Sequence, residues 1–123
     1  MNCEATKGPV RILIVDDEPS VCYAISLILK GKHHAIKTLS DPLEAASYVV
    51  TNNFDIAFVD LRMPHVSGSR IVELIRSKHP SVPVVIVASR SISPVDVAAD
   101  RVLLKPFGAE ELRKAVSELV VAA

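Results

Sequence analysis

The chain has 123 residues, half of them apolar, with few aromatics and no tryptophan, which suits one domain built on a single aliphatic core. Lysine plus arginine and aspartate plus glutamate number 14 each, so the overall charge argues against direct nucleic-acid binding or attraction to an anionic membrane. Two cysteines, Cys3 and Cys22, cannot form a disulfide framework; with no membrane-spanning run and no secretion signal, the expected location is the cytoplasm.

Residues 1–9 read as a flexible N-terminal tail and 10–121 as the domain. "VRILIV" is continuously apolar, the mark of a strand buried on both faces. "PSVCYAISLILKG" then changes to a helical period, with Val21, Ile25, Ile28 and Leu29 on one face, Pro19 near the start and Gly31 past the end. Cys22 is expected to be a small packing residue. "AIKTLS" reads as a second strand, and Asp41, Pro42 and Glu44 mark the start of a helix that Asn52 and Asn53 stop.

"FDIAFVDL" repeats the opening pattern and ends in Asp60; Asp55 precedes it and is expected only to cap or solvate a turn at the opposite rim. A loop with Pro64 and Gly68 leads into "SRIVELIRSKHP", where Ile71, Leu74, Ile75 and Lys78 share a helix face. "VPVVIVAS" and "RVLLK" are the fourth and fifth strands. "AEELRKAVSELVV" closes the chain as a helix with Leu112, Val116, Leu119 and Val120 on its apolar face. Only "RSISPVDVAAD" joins the last two strands, room for a short or irregular fourth helix capped by Ser93 and Pro94. Strands alternating with helices in this way predict an α/β fold, a parallel sheet with helices on both faces.

In such sheets, ligands bind beyond the carboxyl ends of the strands. Asp16 and Asp17 end the first strand, Asp60 the third and Lys105 the fifth, so four charged groups share one rim. Carboxylates crowded together repel one another unless a cation stands among them, and a hard divalent ion such as Mg²⁺ meets that need. Its two charges and that of Lys105 balance the three acids.

On these residues the chain resembles the receiver domains of two-component response regulators. "ILIVDDEP", "FDIAFVDLRMPHVSG" and "LLKPF" are similar to that family's main motifs, in the same order. The resemblance implies a flavodoxin-like fold, a single five-stranded parallel sheet of order 2-1-3-4-5, with Asp60 as the phosphoacceptor. It implies that Asp16, Asp17, Asp60 and the backbone carbonyl of Arg62 hold Mg²⁺, and that Lys105 contacts the phosphate. The donor would be a sensor histidine kinase or a phosphotransfer protein, and Lys105–Pro106 is a candidate cis peptide. The domain would assist its own phosphorylation and dephosphorylation and otherwise catalyse nothing.

Three departures from the family pattern bear on signal output. The hydroxyl that usually ends the fourth strand is replaced by Ala88, with Ser89 one place on, where a one-residue shift turns a side chain to the other face. The aromatic ring usually found three places before the lysine is replaced by Val102. The stretch before the fifth strand is shortened. Arg62 and Arg90 flank the predicted phosphate site, and either can supply a charge-assisted hydrogen bond in place of the missing hydroxyl.

The expected function is a stand-alone receiver that relays a phosphoryl signal to a protein partner, as a monomer or weak dimer. Two alternatives are a pseudo-receiver acting as an interaction module and a piece of a longer regulator. His33 and His34, neighbours that point to opposite sides of an extended segment, read as turn residues rather than a metal pair. His65 reads as a solvent-facing loop residue.

Overall fold

A strand with apolar residues at successive positions stays out of water only if a layer of helices covers each side of its sheet. The computed structural model, which describes residues 9–31, 34–63 and 66–121, meets that demand. In chain order it contains β1 (Arg11–Val15), α1 (Pro19–Leu29), β2 (Ala35–Leu39), α2 (Pro42–Thr51), β3 (Ile56–Asp60) and α3 (Gly68–Lys78). These are followed by β4 (Val84–Ala88), a single 3₁₀ turn (Pro94–Val97), β5 (Arg101–Leu104) and α4 (Ala109–Val121). All pairings are parallel, and the strand order is β2-β1-β3-β4-β5. The tail up to residue 8 and the readings of His33 and His65 lie outside the described residues.

Alternate residues of the central strands feed opposite layers. Leu13 and Val15 of β1, with Ala57 and Val59 of β3, pack on Ala45 and Val49 of α2 and on Ile71, Val72 and Ile75 of α3. Ile12, Ile14, Ile56 and Phe58 face the other way, onto Cys22, Ile25 and Leu29 of α1 and Leu112, Ala115 and Val116 of α4. No helix among the described residues is long and apolar enough to cross a membrane.

The helix boundaries follow from local chemistry. Asp41 caps α2 by accepting a hydrogen bond from the Leu43 N–H at 2.9 Å, with Pro42 in the first turn. Gly31 takes φ +93° just after α1, a conformation a side chain resists. Some expectations shift. On α1, Cys22 is fully buried while Val21 and Ile28 are half-buried, and on α3 Val72 is buried while Lys78 is exposed. Each helix packs against a neighbouring helix as well as the sheet, which rotates its buried stripe. Ser93 makes no side-chain cap to the 3₁₀ turn. Asp55 does more than solvate a turn: it accepts hydrogen bonds from the Arg11 backbone N–H at 2.7 Å and the Arg11 guanidinium at 3.1 Å, joining β1 to the start of β3.

The short β4–β5 connection is held by one side chain. Arg76 of α3 donates to the Ala98 carbonyl at 2.9 and 3.1 Å, to the Val82 carbonyl at 3.2 Å and to Asp100 Oδ2 at 2.9 Å. Asp100 Oδ2 also accepts from the Val84 N–H at 2.8 Å. The rigid guanidinium fork thus fixes the chain just before β4 and just before β5, including Ala98 at φ 54°. Arg76→Ala is expected to cost about 1–3 kcal/mol in urea unfolding, because it strips donors from carbonyls that stay partly buried. Arg76→Lys should not restore the loss; a lysine variant as stable as the parent would show that charge, not the fork, is what matters.

Candidate functional site

The sheet order creates the site. The chain leaves β1 toward β2 on one side and crosses to β3 on the other, and the two connections diverge above the carboxyl ends of β1 and β3. Asp16 and Asp17 follow β1, Asp60 is the last residue of β3, and Lys105 follows β5. The structure brings all four together: carboxylate oxygens of Asp16, Asp17 and Asp60 lie within 4.8 Å of one another. Lys105 Nζ stands 3.3 Å from Asp16 Oδ2 and 3.5 Å from Asp60 Oδ1. The Lys105–Pro106 peptide bond is cis.

The electrostatics are strained. Burial raises the pKa of Asp60 to about 6, with the Asp16 charge adding to it; Lys105 and the Arg62 backbone N–H pull the other way. Asp16 is also raised, again chiefly by burial, against the hydrogen bond its Oδ1 accepts from the Glu18 N–H at 2.9 Å. Burial lowers the pKa of Lys105, but the attraction of Asp16, Asp60 and Glu18 outweighs it and leaves the ammonium form favoured. One lysine does not neutralise three acids. The buried Asp16 Oδ2 has no hydrogen bond of good geometry, despite the lysine close by. Three converging carboxylates, one with an oxygen left over, are the donor set that a hard divalent cation takes, and the residues present fit Mg²⁺.

Above the acids opens a cavity of about 380 Å³, whose lining includes Asp60, Arg62, Ala88, Ser89, Arg90 and Lys105. The ladder between β4 and β5 runs in register to Ala88, opposite Leu104, and the Lys105 N–H bonds the Ala88 carbonyl at 2.8 Å. Ala88 is buried and faces the α2–α3 layer, while Ser89, past the strand end, is exposed. Val102 is half-buried against that same layer.

Two contributors escaped sequence reasoning. Glu18 reaches Lys105 with Oε1 at 3.6 Å; it is mostly exposed, so its partner identifies it, not its burial. Gly68, at the start of α3, packs directly on the backbone that carries Asp60. A Cβ there would overlap the Asp60 carbonyl oxygen and come within 2.8 Å of Leu61 Cα, while the Gly68 N–H bonds the Leu61 carbonyl at 2.9 Å. The signal available was a glycine eight residues after the strand-ending acid.

Two outcomes follow from this geometry. An aspartate whose folded pKa lies near 6 holds its proton longer when folded than when unfolded, where its ordinary value is 3.8. The folded state therefore binds more protons between about pH 4 and 6, and stability falls as pH rises through that window. Asp60→Asn should stabilise the metal-free protein at pH 7 by on the order of 2–3 kcal/mol and do little at pH 4, read by urea unfolding at both pH values. Equal effects at the two would refute charge repulsion as the cause. Gly68→Ala should destabilise by about 2 kcal/mol or more and shift the Asp60 and Leu61 amide resonances, because the overlap falls on backbone that cannot rotate away.

Comparison with known proteins agrees with the geometry. Residues 12–117 match the model of the response regulator receiver domain. The chain is 28% identical over 108 residues to the transcriptional regulatory protein DltR of Streptococcus agalactiae, covering 84% of this chain and 48% of that one. It thus spans about half the length of the curated relatives it matches. A CheY-like receiver domain protein from Methanospirillum hungatei superposes with TM-score 0.86 at 20% identity, over 94% of this chain and 96% of that one. TrrA of Thermotoga maritima, solved in complex with Mg²⁺-BeF, superposes with TM-score 0.81 at 30% identity, over 89% and 98%. With its parallel sheet of order 2-1-3-4-5 and its acidic crevice, the chain belongs to the response regulator receiver domain family.

Proposed function

We propose that this receiver takes a phosphoryl group onto Asp60 from a phosphohistidine on a sensor kinase or phosphotransfer protein, and relays the change to a protein partner. The observation that carries the reading is the placing of Asp60, a carboxylate at the end of β3 that lines the cavity, beside Asp16, Asp17 and the Lys105 ammonium. An Asp60 oxygen attacks phosphorus as the P–N bond to the donor imidazole breaks; the electron pair leaves with the ring nitrogen, which takes up a proton. The product is an acyl phosphate, and water later returns the carboxylate and inorganic phosphate.

A carboxylate is a weak nucleophile, so position and charge do the work. β3 holds Asp60 rigidly, because its preceding four residues are fully buried. Lys105 offers its ammonium from the β5 side, where it can donate to a phosphoryl oxygen. Asp16, Asp17, Asp60 and the Arg62 carbonyl would hold Mg²⁺, which when bound offsets negative charge on the phosphoryl oxygens. The equal numbers of acidic and basic residues favour output through protein contacts over direct nucleic-acid binding by this domain, in the cytoplasm where such donors act.

One observation favours a second reading. Ala88 and Val102 lack the hydroxyl and ring expected at their positions, which suits an interaction module with little phosphorylation response. Incubation with acetyl phosphate and Mg²⁺ separates the two. Intact-protein mass spectrometry should show one added phosphoryl group, absent in Asp60→Asn and after EDTA, with Lys105→Ala slowed about tenfold or more. A folded protein that stays unmodified under these conditions is the interaction module.

A further inference from the structure

Placing a phosphoryl group on Asp60 exchanges a single charge for nearly two, beside Asp16 and Asp17. Lys105 is already shared among Asp16, Glu18 and Asp60, at 3.3, 3.6 and 3.5 Å. Its one charge already serves to offset these acids, so Lys105, even donating to a phosphoryl oxygen, does not by itself meet the added charge. The sheet order decides which flank is still open: β3 lies between β1 and β4, so the acids after β1 occupy one side of Asp60 and the end of β4 forms the other. On that side the Ala88 side chain offers no donor, and Ser89, which also lines the cavity, brings a hydroxyl but no charge.

Arg90, one residue further, lines the same cavity. Its guanidinium has no hydrogen bond or ion pair among the described residues, so it can turn toward an anion without giving up a partner. Ile92 lines the cavity as well, and its half-buried side chain packs into the α2–α3 core layer, the layer to which Val97 and Val102 also belong. The segment 89–93 has no regular secondary structure, and it runs from the rim of the site to the start of the 3₁₀ turn.

We propose that Arg90 reads the phosphorylated state: its guanidinium closes onto the phosphoryl oxygens on the β4 flank, in the room a longer residue at position 88 would fill, and draws Ile92 across the cavity. This rests on Asp60 as the phosphoacceptor. A planar fork of N–H donors matches phosphate oxygens better than a single hydroxyl and carries the missing positive charge. The contact exists only when the phosphoryl group is present, which is the condition for a modification to shift a conformational equilibrium. Ile92 then passes the change to Val97 and Val102, on the face of β5 that the short 3₁₀ turn leaves half-covered, with Leu104 43% exposed.

The test is methyl and amide NMR with Mg²⁺ and beryllofluoride as the phosphoryl mimic. In the parent, the Asp60 and Leu61 amides and the Ile92, Val97 and Val102 methyls should all shift. Arg90→Ala, an exposed substitution, should bind about tenfold more weakly. At saturation its site amides should still shift while the Ile92 and Val102 methyls stay put. Arg90→Lys should recover part of the affinity and little of the methyl shift, and Ile92→Ala should keep the site shifts and lose those of Val102. Parent-like methyl shifts in Arg90→Ala overturn the inference and leave the phosphoacceptor reading standing. Site amides that do not move in the parent, or move equally in Asp60→Asn, overturn both.

Discussion

Crowded negative charge at the tips of two adjacent strands is the constraint around which the molecule is organised. Two buried aspartates and a half-buried third converge, and burial already disfavours ionisation of Asp16 and Asp60. The fold withstands this because β1 and β3 are locked between two complete apolar layers, which hold the carboxylates in place against their repulsion. Lys105 offsets part of the charge and cannot offset all of it. What remains is an electrostatic demand for cations, and a site with that demand selects its ligands: a divalent ion, and then a group whose added charge must also be met.

Much of this was legible in the chain. Strands buried on both faces announce themselves by unbroken apolar runs, and the acids stand out because a charge directly after such a run has nowhere to go but the rim of the sheet. The rest depends on contacts far apart in sequence. In "VPVVIVAS" every residue leading up to Ala88 is apolar, so no periodicity distinguishes one register from the next; only the ladder pairing Ala88 with Leu104 does. The close approach of Gly68 to the Asp60 carbonyl and the Arg76 fork onto Ala98, Val82 and Asp100 join segments brought together by the fold alone. Val72 replaces Lys78 in the buried stripe of α3 because that helix packs against α2 as well as the sheet, which a single-face pattern cannot express.

The site and its surroundings differ in stiffness, and that difference matters for function. Asp16 and Asp60 are tied to β1 and β3, whose side chains are buried at almost every position. Gly68 lets α3 rest on the Asp60 backbone without an intervening side chain, so any displacement of that helix reaches the carboxylate. The segment after β4 has no such anchorage: Ser89, Arg90 and Ser91 are exposed, and Ile92 is half-buried. A change in charge at Asp60 therefore meets a rigid wall on the β1 side and a compliant one on the β4 side.

The Arg76 fork gives that compliance a boundary. By holding the carbonyls of Val82 and Ala98 and the carboxylate of Asp100, it pins the chain just before β4 and just before β5. Motion that begins at residues 89–92 spreads into the start of β5 only by breaking the bonds of Arg76 to the Ala98 carbonyl and the Asp100 carboxylate, which favours the 3₁₀ turn and the side chains on the half-covered face of the sheet. The connection between β4 and β5 carries only a single 3₁₀ turn, Pro94–Val97. Here the movable piece is a few residues, small enough for one guanidinium to shift, and the surface it alters is the one where Val95 and Leu104 already meet solvent.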